Sequence, residues 1–273
     1  MMSLFKKTAA LSFAIAATTF ISGCATTSPE ARLAYDQKQQ SLKSHPVSIV
    51  SDGCVLWVEM GKDDIMYQHS NAASIAIANT LKENLNEKGV TVNHISSPFI
   101  CGGMTQEELT QMDILMTEDA KDVPNTDYPI LSANNTFDGV TNQAYLNLYK
   151  ALVNVKQESA ESQKTGSSFA LNLDTASLNK IRQTENSDKV FVVLIAANKQ
   201  SFGLKLAAAS TSPLAGALIN RAPGKSYSIH LVNLKTNQVD WNKSGIVTTE
   251  VFKNPVEGTI DTKDAVLSPL YAE

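Results

Sequence analysis

Histidine and cysteine are scarce in this chain, at four and three residues of 273, and charged residues make up only 18%. Each scarcity closes a class of function. The histidines are His45, His69, His94 and His230. None forms a His-x-x-x-His or His-Glu-x-x-His pattern, so zinc-hydrolase chemistry has no local support. Cysteine pairs at zinc-finger spacing are missing as well, and no metal or cofactor is expected. There is neither a Gly-x-Ser-x-Gly elbow nor a Gly-x-x-x-x-Gly-Lys phosphate loop. Basic residues are too few for general nucleic-acid binding: the formal charge is −4, and loss of a leader carrying Lys6 and Lys7 would make it more negative. After residue 21 no second long apolar run occurs, so the remainder is not expected to span a bilayer as a helix.

The amino terminus carries the most specific signal. Lys6 and Lys7 precede a mostly apolar run from Ala9 to Ile21, too short for a comfortable membrane span but suited to a secretory leader. Ile21-Ser22-Gly23-Cys24 follows, with small residues before the cysteine. This stretch resembles the lipobox of bacterial lipoproteins. The resemblance implies cleavage after residue 23, acylation at Cys24 and anchoring to a membrane. With Ala25 next, rather than Asp, the family's sorting rule implies the periplasmic face of the outer membrane. Several acyl chains on one residue give stable anchoring, whereas one chain is marginal. Residues 24–45 are polar and read as anchor and flexible tether, with room for a short helix over Pro29–Leu42. Residues 46–273 read as a single periplasmic domain.

With Cys24 acylated, Cys54 and Cys101 remain. In an oxidising compartment they are natural disulfide partners, and closing a loop of about 48 residues stabilises by about 4 kcal/mol. Two buried free thiols are the alternative. Cys101-Gly102-Gly103 could also present a reactive thiol, but no neighbouring base is evident.

The expected fold class is α/β (α+β), a small mixed sheet with helices packed on it. Val47, Ile49, Val55, Leu56 and Val58 form a strand, with Gly53 as a bulge or break. A helix capped by Ser70 or Asn71 carries Ile77, Leu81 and Leu85 and ends at Gly89. Val90, Val92 and Ile95 make a second strand, giving a β-α-β crossover between parallel strands. Residues 102–188 read as mainly helical. Thr105 and Glu108 have capping-box spacing ahead of Leu109, Met112 and Met116. Residues 123–139 read as loop, Ala144–Val155 as a helix with a clear apolar stripe, and Ala176–Thr184 as a shorter one. Lys189–Ile195 is a buried central strand. Tyr227–Leu231 and Val239–Trp241 flank a polar turn and form a C-terminal β-hairpin. An edge strand is expected over Gly245–Phe252, and an irregular tail beyond it.

The order strand, helix, strand, helices, apolar strand and hairpin is carried by Ala72–Val92, Val190–Ile195 and Tyr227–Trp241. It resembles a class of envelope lipoproteins that includes the curli-secretion lipoprotein, the lipoprotein activator of penicillin-binding proteins, and the amino-terminal domain of the Tol propeller protein. That resemblance implies binding to other envelope proteins, or self-oligomerisation. The low-charge stretch 201–224 lies where the class carries insertions. Phe202, Leu204, Leu206, Leu214 and Leu218 make it a candidate partner surface. A helix packed on the sheet and a membrane hairpin are its other readings. Asp119, Asp122, Asp127 and Asp138 do not follow calcium-loop spacing and read as a solvated loop. The expected function is a non-catalytic binding or assembly module. A tethered hydrolase with a triad drawn from distant segments, or a subunit of a secretion-type oligomer, are the alternatives.

Overall fold

The computed structural model describes residues 28–59, 62–104, 109, 112–115, 123–124, 137–200, 225–260 and 266–271. Cys24, the candidate surface 201–224, the Thr105–Glu108 pair, and Asp119, Asp122 and Asp127 lie outside the described residues.

The molecule is α+β, built on one mixed sheet with helices on both faces. Its centre is β1 (Val47–Glu59), paired in parallel with the most apolar strand, here called β8 (Lys189–Gln200). On one side of β1 come β2 (Lys62–Met66), β5 (Asp113–Leu115) and β6 (Val123–Pro124). β3 (Val92–Ile95) and β4 (Phe99–Ile100) also pair in parallel with β1. Beyond β8 lie β9 (Lys225–Asn233), β10 (Gln238–Gly245) and the two-residue β7 (Phe169–Ala170), all antiparallel. The expected β-α-β unit is β1, α2 (Tyr67–Glu87) and β3, and the expected hairpin is β9–β10.

Alternation along the central strands sends side chains to two cores. One face presents Ile49, Val55, Phe191, Val193, Ile229 and Leu231 to α1 (Pro29–Ser44), α2 and the C-terminal segment. The other presents Val50, Val190, Val192 and Val232 to α3 (Gly139–Asn154) and α5 (Thr175–Glu185). Both of those helices start on an Asp cap: Asp138 accepts the Thr141 amide at 2.7 Å and Asp174 the Ser177 amide at 2.8 Å. Asp138 is thus a cap and not part of an acidic loop. α4 (Lys156–Thr165) ends at Gly166 in the left-handed region and leans on β10.

Several expectations are corrected. The tether does not extend through residue 44. α1 is capped by Ser28, and its Ala31, Tyr35 and Leu42 are buried in the first core. Tyr35 and Lys38 donate to the carbonyls of Gln163 (3.1 Å) and Gly166 (2.6 Å), so this polar helix is bound by contacts that hydropathy does not register. Gly53 marks neither bulge nor break, because β1 runs through it in register with β8. Ser70 is not the cap of α2. It sits inside the helix, donates to the Met66 carbonyl, and accepts the Val55 amide at 2.9 Å, stitching helix to strand. Asp113–Leu115 is strand, not the continuation of a helix carrying Met112. Gly245 ends β10 instead of starting an edge strand, and Thr249–Phe252 is a single 3₁₀ turn, followed by one turn of helix, α6 (Pro255–Gly258). Among the described residues no helix is long and apolar enough to cross a membrane.

Candidate functional site

Cys54 and Cys101 are joined as a disulfide that ties β1 to the turn after β4. This pairing follows from the parallel register, which sets Gly53 opposite Ile100 and so puts the next residue of each strand side by side. Cys101 adopts a φ of 52° there, and the chain turns back over β1. The turn delivers two amides to one acid: Gly102 N–H donates to Asp52 Oδ1 at 2.9 Å and Gly103 N–H to Oδ2 at 3.3 Å. Gly102 is required, since a Cβ at that position would lie 2.8 Å from the Tyr149 ring. Asp52 is buried, and loss of hydration raises its carboxyl to about 6 despite the two amides.

Asp52 begins a row that crosses the sheet. It faces Leu194 on β8, which faces Ser228 on β9, which faces Ser244 on β10. The adjacent rows are Val50–Val192–His230–Asn242 and Cys54–Ala196–Ser226. Beside α3 and α4, the described residues leave part of this face open. A cleft of about 730 Å³ results, with Leu152 and Val153 of α3 on its roof and Gln163 of α4 at its rim. Gln163 is held in place by Asn242, to whose Oδ1 it donates at 2.7 Å.

His230 is 5% exposed and lies at the polar side of the cleft. Its Nε2 is 3.1 Å from Ser228 Oγ, and its Nδ1 has no partner among the described residues. Burial lowers its pKa to about 4, so the ring is neutral at pH 7. A serine beside a histidine is the start of a nucleophilic site, but among the described residues no carboxylate is bonded to this histidine. The acid that lines the cleft, Asp52, is two strands from β9, about 10 Å at the backbone, and is already bound to the Gly102 and Gly103 amides. No carboxylate contributes to the His230 shift. A histidine without an orienting acid, and with a lowered pKa, is a poor general base at neutral pH.

A second buried acid belongs to the support of the cleft. Glu185, at the end of α5, accepts the hydroxyls of Tyr145 and Ser96 on Oε1, and burial raises its pKa. Tyr145 packs tilted and Tyr149 edge-on against Phe99, with ring centroids 4.7 and 5.4 Å away. This aromatic cluster fixes α3 above the sheet.

The remaining histidines are dispersed. His45 caps the end of α1, His69 lies in α2 and His94 in the exposed β3. Among the described residues no three His, Cys, Asp or Glu side chains gather as a metal site. Ser228 and His230 were legible only as the polar positions of an alternating strand. Asp52 carried no signal, because its role depends on a turn fifty residues away. Comparison of the chain with models of protein families, with curated proteins and with solved structures yields no match.

Proposed function

We propose that the protein is a bacterial lipoprotein anchored at Cys24 to the periplasmic face of the outer membrane, and that its folded part is a non-catalytic binding module. The anchoring reading is supported by Lys6 and Lys7, the apolar run to Ile21 and the lipobox-like Ile21–Cys24. Because α1 is packed into the fold from Pro29, only about five residues separate the lipidated cysteine from the body, a reach below about 20 Å. The body therefore works close to the membrane surface. The envelope lipoprotein class that the element order resembles suggests partners among envelope proteins, or self-assembly.

The single observation that carries the binding reading is the open cleft on the β1–β8–β9–β10 face, with His230 at its polar side, one ring nitrogen of which is buried without a partner among the described residues. Clefts of this size with few convergent polar groups are the usual form of binding sites. Affinity capture from crosslinked envelopes tests it. The expected result is a specific envelope component, or oligomers of the protein itself, recovered with the native chain and lost on Ala196→Trp. Ala196 is an exposed lining residue, so the larger side chain fills the cleft without disturbing the core. Recovery of nothing beyond monomer sinks the reading.

The Ser228–His230 contact favours one competing reading, a tethered hydrolase. An ester-substrate screen separates the two: turnover that disappears in Ser228→Ala is the result that would replace binding with catalysis.

A further inference from the structure

The cleft is two-sided in its chemistry. Ser226, Ser228, His230 and Ser244 line it along β9 and β10, and Leu56, Met104, Leu152, Val153, Leu194 and Ala196 give it an apolar wall. Among the described residues no Lys or Arg lines it. Asp52, the one carboxylic acid among its described lining residues, has both oxygens engaged by glycine amides. An anionic group entering the cleft would thus lose its hydration and meet no cation among the described lining residues, which is costly for a charge. A neutral hydrogen-bonding group would meet the serine hydroxyls beside His230, whose ring lines the cleft and whose buried Nδ1 has no partner among the described residues. The volume of about 730 Å³ falls in the range that encloses a molecule of a few hundred daltons.

From this arrangement we infer that the cleft binds a free, neutral, single-chain amphiphile. Its acyl chain lies along the Leu56, Leu152 and Leu194 wall, and an uncharged hydroxyl, ester or amide head bonds to His230 Nδ1 and the serine hydroxyls of β9 and β10. The inference rests on the cleft being the binding face and adds the class of ligand. The neutral imidazole supplies one donor or one acceptor according to its tautomer, so a head offering both, such as a glycerol ester, satisfies it in either state. An apolar molecule without a head would leave Nδ1 buried and unsatisfied.

The test is calorimetric titration of the chain from Ala25 to Glu273, which retains every described element, with 1-monomyristoylglycerol, myristate and glycerol below their aggregation concentrations at pH 7.5. The monoacylglycerol is expected to bind saturably with one site. Myristate, with the same chain but a charged head, should bind at least about tenfold more weakly, and glycerol should not bind. Ala196→Trp should abolish binding. Ser228→Ala and His230→Gln should each weaken it about fivefold, as loss of one buried hydrogen bond does, with unfolding midpoints recorded alongside so that misfolding is recognised. Myristate binding as tightly as the ester, or monoacylglycerol binding undiminished in Ala196→Trp, overturns the inference. So does a titration without saturable binding. If that null titration accompanies an envelope capture that Ala196→Trp abolishes, the ligand class falls and the binding face stands.

Discussion

At the scale of single residues, Asp52 and His230 respond to acid in opposite directions. Asp52 has a folded pKa of about 6, above its unfolded value, so the folded state takes up the proton first as pH falls. Stability from this group is full below about pH 4 and is lost as pH rises to about 6, a difference of about 3 kcal/mol. His230 has a folded pKa of about 4, below its unfolded value, so the unfolded chain takes up the proton first. Stability from it is full above about pH 6.5 and is lost as pH falls to about 4, again about 3 kcal/mol. The two largely cancel in the native chain and separate in variants. Relative to native protein, Asp52→Asn should lose stability as pH drops from 6.5 to 4, and His230→Gln should gain it. Urea denaturation across that interval reads both slopes; parallel curves for native and variant would show that the groups are not buried as described. Neither behaviour was legible in the sequence. Asp52 sits in an unremarkable Ser-Asp-Gly, and its burial depends on the turn at Cys101–Gly103 folding over β1.

At the scale of elements, α2 packs closely against β1 at Gly53. A Cβ on Gly53 would lie 2.3 Å from the Ser70 carbonyl oxygen and 2.4 Å from Ser74 Oγ. Gly53→Ala should therefore push the helix off the strand and cost about 3 kcal/mol, as overpacking of a tight core does. A midpoint within error of native would show that the helix shifts freely. The same contact explains why this glycine invites misreading: the residue type signals a special backbone, yet here it serves a close approach inside a regular strand. Strands with long apolar runs and helices with clean stripes were legible because burial on one or two faces writes directly into residue order; β8, α3 and α5 are of this kind. β2, β4 and β7 were not, since two to five residues carry no periodicity and their pairing is set by neighbours.

α1 shows the limit of composition at this scale. Its polar sequence reads as a tether, but Tyr35, Leu42 and Ala31 fill one face while Lys38 and Gln39 bond to carbonyls of distant segments. Removing residues 28–44 should cost about 4–6 kcal/mol from the buried side chains alone, a large part of the stability of an ordinary domain. Chains starting at Ser28 and at His45, compared by thermal unfolding, give the measurement. Equal midpoints would return α1 to the status of a linker.

At the scale of the whole molecule, the fold brings residues 52, 103, 152, 163, 194, 228, 230 and 244 to one cleft, although they span most of the folded chain. The cleft lies on the face carrying α3 and α5, and α1 with the first core lies on the other. On the proposed anchoring, Cys24→Ala should release the exported protein from the membrane fraction, and mass spectrometry of the native product should show acyl groups at its first residue. An unacylated chain that fractionates as soluble protein would remove the envelope reading while leaving the cleft untouched.

Residue order alone determined the α+β class, the β1–α2–β3 unit, the central strand and the hairpin, because each depends on periodic burial or local turn chemistry within a few residues. It also carried the lipobox-like Ile21–Cys24 stretch, a linear motif on which the proposed export and lipidation rest. Tertiary structure decided the rest: the docking of α1, the engagement of Asp52 by Gly102 and Gly103, and the opening of a cleft beside His230. Those features arise where strands far apart in the chain become neighbours in register, and a side chain's surroundings there are set by residues dozens to hundreds of positions away.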